Sequence, residues 1–258
     1  MKRIFTGSLI LCLTCTSLAQ AFSLLPVNLG TPRFYIGVGA GDVFYKVNGN
    51  NYLGTGEGWP DDHYTSNDIS NQPSGFVAAG YTWQRDETWL PNYSLGLRYM
   101  YVSPTTVSGY IDQYTLPGFR NYHFSYDVEL LSLLAVLKAD LYRWHNWMPY
   151  VLLGAGAANY GTSDYTEQAS SGVTPRVNPA FGNTSGNNFA YQLGAGVDYA
   201  VRENLVINLE YDYMDYGTVS TDKGTNYTML TGSNYDNESL KNKISATSLF
   251  LSLTYYIE

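Results

Sequence analysis

Over stretches of about ten residues, apolar and polar side chains in this chain alternate with a period of two. That is the spacing at which a β-strand sends successive side chains to opposite faces. In the clearest stretch, Phe189, Tyr191, Leu193, Ala195, Val197, Tyr199 and Val201 share one face, and Ala190, Gln192, Gly194, Gly196, Asp198 and Ala200 the other. Leu205 to Tyr213 sets Leu205, Ile207, Leu209, Tyr211 and Tyr213 against Val206, Asn208, Glu210 and Asp212. Tyr93 to Tyr101 sets Tyr93, Leu95, Leu97, Tyr99 and Tyr101 against Ser94, Gly96, Arg98 and Met100. One face is greasy and aromatic; the other is small, polar or charged.

Five further segments carry the pattern less cleanly. Phe34 to Tyr45 opposes Phe34, Ile36, Val38 and Ala40 to Gly37, Gly39 and Gly41, and Gly75 to Gln84 ends in Tyr81 and Trp83. Val151 to Asn159 opposes Val151, Leu153, Ala155 and Ala157 to Gly154, Gly156 and Ala158, and Ser245 to Ile257 alternates around Leu249, Leu251 and Leu253. In Tyr126 to Leu141 the alternation fails at Leu130, Leu131, Leu133 and Leu134. Taken alone, 128–142 is also compatible with a helix.

The connections between these segments alternate in length. Long ones, rich in Gly, Asn, Asp, Ser and Thr, cover about 47–74, 103–123, 160–188 and 217–243; short ones cover about 85–92, 142–149 and 202–204. Tight turns at one end and long loops at the other are the layout of an up-and-down antiparallel barrel in an outer membrane. The fold class expected is therefore all-β: a transmembrane eight-stranded antiparallel barrel with four long extracellular loops. In such a barrel the apolar face meets lipid and the inner face must fit a narrow lumen. Glycines at Gly37, Gly39, Gly41, Gly154, Gly156, Gly194 and Gly196 then relieve crowding inside. Closure also satisfies every backbone donor and acceptor, as hydrocarbon demands.

The N-terminus fits export. Lys2 and Arg3 precede an apolar run from Ile4 to Leu13, and Ala19-Gln20-Ala21 offers small residues where a signal peptidase cuts. The organisation expected is a signal peptide over 1–21 and a barrel domain over 22–258. Both cysteines, Cys12 and Cys15, fall in the leader, so a disulfide framework and a cysteine-ligated metal are not expected. Cleavage removes two of the 14 basic residues and none of the 22 acidic ones, which argues against nucleic acid as a partner. Twenty-five Tyr and 25 Gly, with only 14% charged residues, suit a β-rich chain with many interfacial aromatics.

Phe34-Tyr35-Ile36-Gly37-Val38-Gly39-Ala40-Gly41, the stretch Pro149 to Ala157 and Leu193-Gly194-Ala195-Gly196-Val197-Asp198-Tyr199 resemble the OmpA/OmpX/Opa-like eight-stranded outer-membrane β-barrel superfamily over nearly the whole mature chain. The resemblance implies a barrel without the peptidoglycan-binding domain of OmpA. It also implies contact with outer-membrane lipid and lipopolysaccharide, assembly by the barrel-assembly machinery, and a Gram-negative source. Members usually finish on an aromatic residue, whereas this sequence ends Tyr255-Tyr256-Ile257-Glu258.

Candidate sites follow from the faces. Arg98, Lys138, Asp198, Glu210 and Asp212 fall on the inner face, where unpaired charge is costly, so Arg98 and Lys138 are expected to face Glu210 and its neighbours. Trp83, Trp89, Trp144 and Trp147 cluster at two short turns, as a periplasmic aromatic girdle would. Tyr52, Tyr64, Tyr110, Tyr114, Tyr122, Tyr165, Tyr227 and Tyr235 lie in the long connections among Asn, Ser and Gly, a composition suited to recognition. His123-Phe124-Ser125 puts a His and a Ser on one face, with Asp127 or Glu129 as an orienting acid, the residue types of a lipid A-acting hydrolase. His63 and His145 lack ligand spacing, and Asp61, Asp62 and Asp68 read as a solvated acidic cluster, so neither metal nor cofactor is expected. The leading function is a non-enzymatic surface protein, supporting membrane integrity or adhesion to a host or neighbouring-cell receptor. The alternatives are a narrow pore or conduit for small hydrophobic molecules, and a lipid A-acting enzyme.

Overall fold

The computed structural model describes residues 31–54, 60–67, 71–175, 180–225 and 238–257. The signal peptide, Asp68, Tyr227 and Tyr235 lie outside them. Eight long strands form the barrel: β1 (Thr31–Asn48), β2 (Gln72–Gln84), β3 (Asn92–Asp112), β4 (Arg120–Asp140), β5 (Trp147–Ala169), β6 (Thr184–Arg202), β7 (Leu205–Ser220) and β8 (Lys241–Ile257). Each pairs antiparallel with its sequence neighbour, and β1 pairs with β8, closing the ring.

Alternation persists through the ring and its direction is outward-apolar. Val38, Leu97, Leu133, Leu153, Leu193, Leu209 and Leu251 are exposed, while Gly37, Arg98, Leu134, Leu152, Gln192, Glu210 and Phe250 beside them are covered. On β6, ten residues separate the outward Phe189 from Tyr199. At about 3.3 Å per residue and a tilt near 40° that spans roughly 25 Å, the height of an outer-membrane apolar band.

Residues 120–140 are strand, not helix. Their leucines break the expected pattern because both faces are apolar. Leu131, Leu133 and Leu137 point out, whereas Leu130, Leu134 and Val136 point in and pack the interior.

Much of the sequence assigned above to long connections is also paired strand. β3 runs to Asp112 and β4 starts at Arg120, so the 103–123 connection narrows to two single-turn 3-10 segments, Gln113–Thr115 and Pro117–Phe119. β3 passes Tyr101 by eleven residues, which carries the hairpin roughly 25–30 Å beyond the apolar band. A small hairpin, Asn50–Leu53 with Asp62–Ser66, adds to the β3 edge above the ring.

Bulges make these extensions possible. The β3–β4 register shifts between Val102 and Thr105, around Ser103 and Pro104, so inward residues change from even to odd numbers. Val107 and Ile111 thereby join the core with no exposure. A second shift on β7 falls between Asp215 and Gly217, where Gly217 has φ +79°, a conformation other residues rarely adopt.

Candidate functional site

The lumen has two halves of different chemistry. Toward the short-turn end lies a charged layer built from every second residue of β3 to β7. The Arg98 guanidinium forks onto Glu210, with Nη2 donating to Oε2 at 3.1 Å, and its Nη1 lies 3.8 Å from Asp212 Oδ2. Tyr150 donates its hydroxyl to Glu210 Oε2 at 2.9 Å, and Phe76 places its ring 4.2 Å beneath the Arg98 Cζ. Closer to the periplasmic rim, Lys138 pairs with Asp198, lies 3.7 Å from Asp140 Oδ1 and sits 3.9 Å from the centre of the Tyr150 ring. Asn208 bridges this layer, donating to Asp198 at 2.6 Å while its carbonyl accepts from Ser252 at 3.1 Å and Thr254 at 3.0 Å.

Glycines make the room. A Cβ on Gly194 would stand 2.0 Å from Asp212 Oδ1, and one on Gly196 would stand 2.5 Å from the Tyr150 ring. The small inner face expected from sequence is therefore the space that the charged side chains occupy.

The structure thus brings together all five charges anticipated inside the barrel, but divides them. Arg98 serves Glu210 and Asp212; Lys138 serves Asp198 and Asp140. Asp140 and Tyr150 escaped the sequence reading, although Asp140 lies two residues from Lys138 and so on the same face. A strand phase for 126–141 would have revealed it. Within this layer two cations, Arg98 and Lys138, face four carboxylates, Asp140, Asp198, Glu210 and Asp212. Beside them lies a small cavity of about 40 Å³, lined by Tyr35, Ser94, Lys138, Tyr150 and Tyr256 among others.

Above the charges the lumen turns apolar and closes. Phe76 and Phe250 meet edge to face at 5.3 Å, and Val43, Tyr45, Met100, Met214 and Tyr216 fill the next levels. Higher still, Tyr64, Phe124, Tyr126, Tyr165 and Phe181 form one aromatic cluster, with ring centroids 4.8 to 6.4 Å apart. Tyr64 and Tyr165 both donate to Glu167 Oε1, at 3.3 and 2.5 Å.

This arrangement corrects part of the expected contact surface. Tyr64 and Tyr122 are buried, 1% and 6% exposed, and Tyr165 packs against the same core, because their strands alternate inward above the membrane. Tyr52 and Tyr110 do reach the surface, 55% and 39% exposed, and Tyr114 is half-buried. Tyr52 stacks on His63 with centroids 4.5 Å apart. Tyr110 lies between His123 at 4.9 Å and the Arg120 Cζ at 5.1 Å. Leu116 and Phe119, each 48% exposed, crown the β3–β4 hairpin and were missed because an apolar pair in a turn carries no periodic signal.

Tertiary contacts fix that crown. Arg120 donates to Asp112 through Nε at 2.7 Å and Nη2 at 3.1 Å, and this hydrogen-bonded guanidinium holds the Asp112 carboxyl below its ordinary range. Asp62 accepts from the Tyr114 amide at 3.0 Å, and the Asp61 carbonyl accepts from Thr115 at 2.8 Å. Tyr114 and Thr115 have φ 57° and 60°, so the turn is held in a left-handed conformation.

The His123-Phe124-Ser125 residues point to separate partners. His123 meets Tyr110, Ser125 Oγ bonds Thr166 Oγ1 at 2.9 Å, and Asp127 accepts from Thr106 at 2.6 Å. At the other end, Trp89, Trp144 and Trp147 are exposed at the short turns and Trp83 is half-buried. Trp89 packs on Tyr142 at 4.8 Å and Trp147 on Tyr199 at 4.7 Å.

A stretch of 117 residues is 31% identical to outer membrane protein PagN of Salmonella typhimurium, covering 44% of this chain and 45% of that protein. The match therefore spans less than half of the relative's length. Among solved structures, Ail, the attachment invasion locus protein of Yersinia pestis, is 14% identical with a TM-score of 0.37, covering 86% of this chain and 98% of that one. OprG from Pseudomonas aeruginosa is 14% identical with a TM-score of 0.42, covering 89% and 99%. The model of the outer membrane protein beta-barrel domain matches residues 8–249, and the chain belongs to that family of bacterial outer-membrane β-barrels.

Proposed function

We propose that the protein works by binding at its extracellular end, as an adhesin-like surface protein without catalytic activity. The observation that carries this reading is the rigid hairpin of β3 and β4. It stands well above the apolar band and presents Tyr110, Leu116 and Phe119 to solvent on a base tied by Arg120 and Asp112. Exposed aromatic and apolar side chains on a preorganised scaffold bind at low entropic cost. The lumenal charges serve stability in this reading: they brace the narrow interior while the aromatic cluster fills it. Cell-binding assays compare the intact protein with Leu116→Ser/Phe119→Ser. At least a tenfold loss of binding with unchanged surface display is expected, on the order of two apolar anchors; undiminished binding would remove the adhesive reading.

A second reading, a narrow conduit, is favoured by the cavity in the charged half. Four carboxylates against two cations would make any current cation-selective. Planar-bilayer recordings separate the two readings. Silence from the wild-type barrel supports the plugged form, and reproducible steps altered by Arg98→Ala support transport.

A further inference from the structure

Above the apolar band the sheet turns a polar face outward. One cross-strand row runs Thr65, Tyr110, His123 and Gln168 over four strands. The row below it is Ser108, Ser125 and Thr166. All of these side chains are exposed or half-buried, whereas Ile111 and Phe124, which alternate with them, are covered. His123 and Ser125 thus share a face as their spacing requires, and that face looks away from the lumen. Tyr110 lies nine residues beyond Tyr101, roughly 20–25 Å up the hairpin, out of reach of hydrocarbon.

The chemistry of this face is that of a partner rich in hydroxyls and without charge. Tyr110 gives the two rows their aromatic surface: its ring is 39% exposed and is held by His123 at 4.9 Å and the Arg120 Cζ at 5.1 Å. Around the ring stand the hydroxyls of Thr65, Ser108 and Ser125 and the amide of Gln168, groups that both donate and accept. Ser125 and Thr166 are joined at 2.9 Å, which pre-orients both hydroxyls. The neighbouring charges are already engaged, Arg120 with Asp112 at 2.7 Å and Asp127 with Thr106 at 2.6 Å. An anionic chain would have to displace Asp112 from Arg120, and an apolar protein patch would bury the hydroxyls unpaired. A sugar ring meets both demands, with positive C–H edges for the negative face of Tyr110 and hydroxyls for the rest. Tyr110 and Gln168 stand two strand spacings apart, roughly 10 Å, a span that fits a short oligosaccharide.

We infer that this outer face of the β3–β5 sheet, centred on Tyr110, His123 and Gln168, is a binding site for an uncharged glycan on the surface of a partner cell. The inference rests on the adhesive reading and names the chemistry of its receptor, because the face runs into the same hairpin crown through Tyr110.

The test uses the full-length protein in phosphatidylcholine nanodiscs, applied to an array of uncharged oligosaccharides, heparin fragments and bacterial O-polysaccharide. Heat-modifiable gel mobility checks the fold of each variant. Binding is expected on uncharged oligosaccharides. Tyr110→Ala should weaken it at least about tenfold and Gln168→Ala about three- to tenfold. Tyr110→Phe, which keeps the ring, and Arg143→Gln, at a short turn, should leave it unchanged. Silence on every uncharged oligosaccharide, a signal confined to heparin or to O-polysaccharide, or one that survives Tyr110→Ala in folded protein would overturn the inference. Cell binding alongside a silent array keeps the adhesive reading and removes this one; a glycan signal without cell binding does the reverse.

Discussion

At the scale of single residues, the lumen shows how charge is held in a narrow interior. Arg98 is buried against Phe76 and forks onto Glu210, which also accepts from Tyr150. Removing one partner leaves the other charged and desolvated, which costs more than the pair itself contributes. Arg98→Met is therefore expected to lower stability by about 3–5 kcal/mol, and Arg98→Met/Glu210→Leu by less than either single change. Urea unfolding in lipid vesicles, followed by tryptophan fluorescence, measures both. Outside the membrane, the Asp112 carboxyl titrates below its usual value because Arg120 donates to it. A carboxylate with a depressed folded-state pKa contributes stability that is present above its unfolded value and lost as pH falls through the folded one. Amide exchange at Tyr114 and Leu116 should therefore accelerate only on strong acidification, and Arg120→Gln should abolish that dependence. Five of the inner-face charges were readable from parity, whereas Asp140 was missed because the phase of β4 is obscured by its leucines. The partition of the charges into two clusters was not readable, because pairing across the lumen depends on shear and side-chain reach.

At the scale of elements, the eight strands were legible because lipid outside and small residues inside impose opposite chemistry on successive positions. The pattern blurred where that contrast vanished. In β4 both faces are apolar, and in the extensions above the membrane the outer face is polar and the inner face aromatic. Pro104 lies in the stretch 103–123 expected as a long connection, yet it sits in the bulge that resets the inward face of β3. Deleting Ser103 and Pro104 together should leave a regular ladder in which Thr105 to Ile111 are one position out of phase, driving Val107 and Ile111 outward. Each fully exposed side chain costs about 1.5–3 kcal/mol. The upper β3–β4 hairpin is then expected to become protease-sensitive while the barrel below keeps its heat-modifiable mobility. A resistant hairpin would show that the bulge does not set the phase.

At the scale of the whole molecule, one barrel combines three environments: a lipid-facing apolar wall, a charged lower lumen and an aromatic upper plug. The wall is the claim on which the rest depends, since it fixes the direction of every side chain. Leu251 is 61% exposed on the outer face and Ser252, its neighbour, is 7% exposed on the inner one. The most direct measurement places a spin label at Leu251→Cys or Ser252→Cys in vesicle-reconstituted protein lacking Cys12 and Cys15, and compares collision with oxygen and with a water-soluble nickel chelate. The account predicts that the label at 251 meets oxygen freely and the chelate hardly at all, whereas the label at 252 is shielded from lipid. A label at 251 that collides readily with the chelate would contradict it.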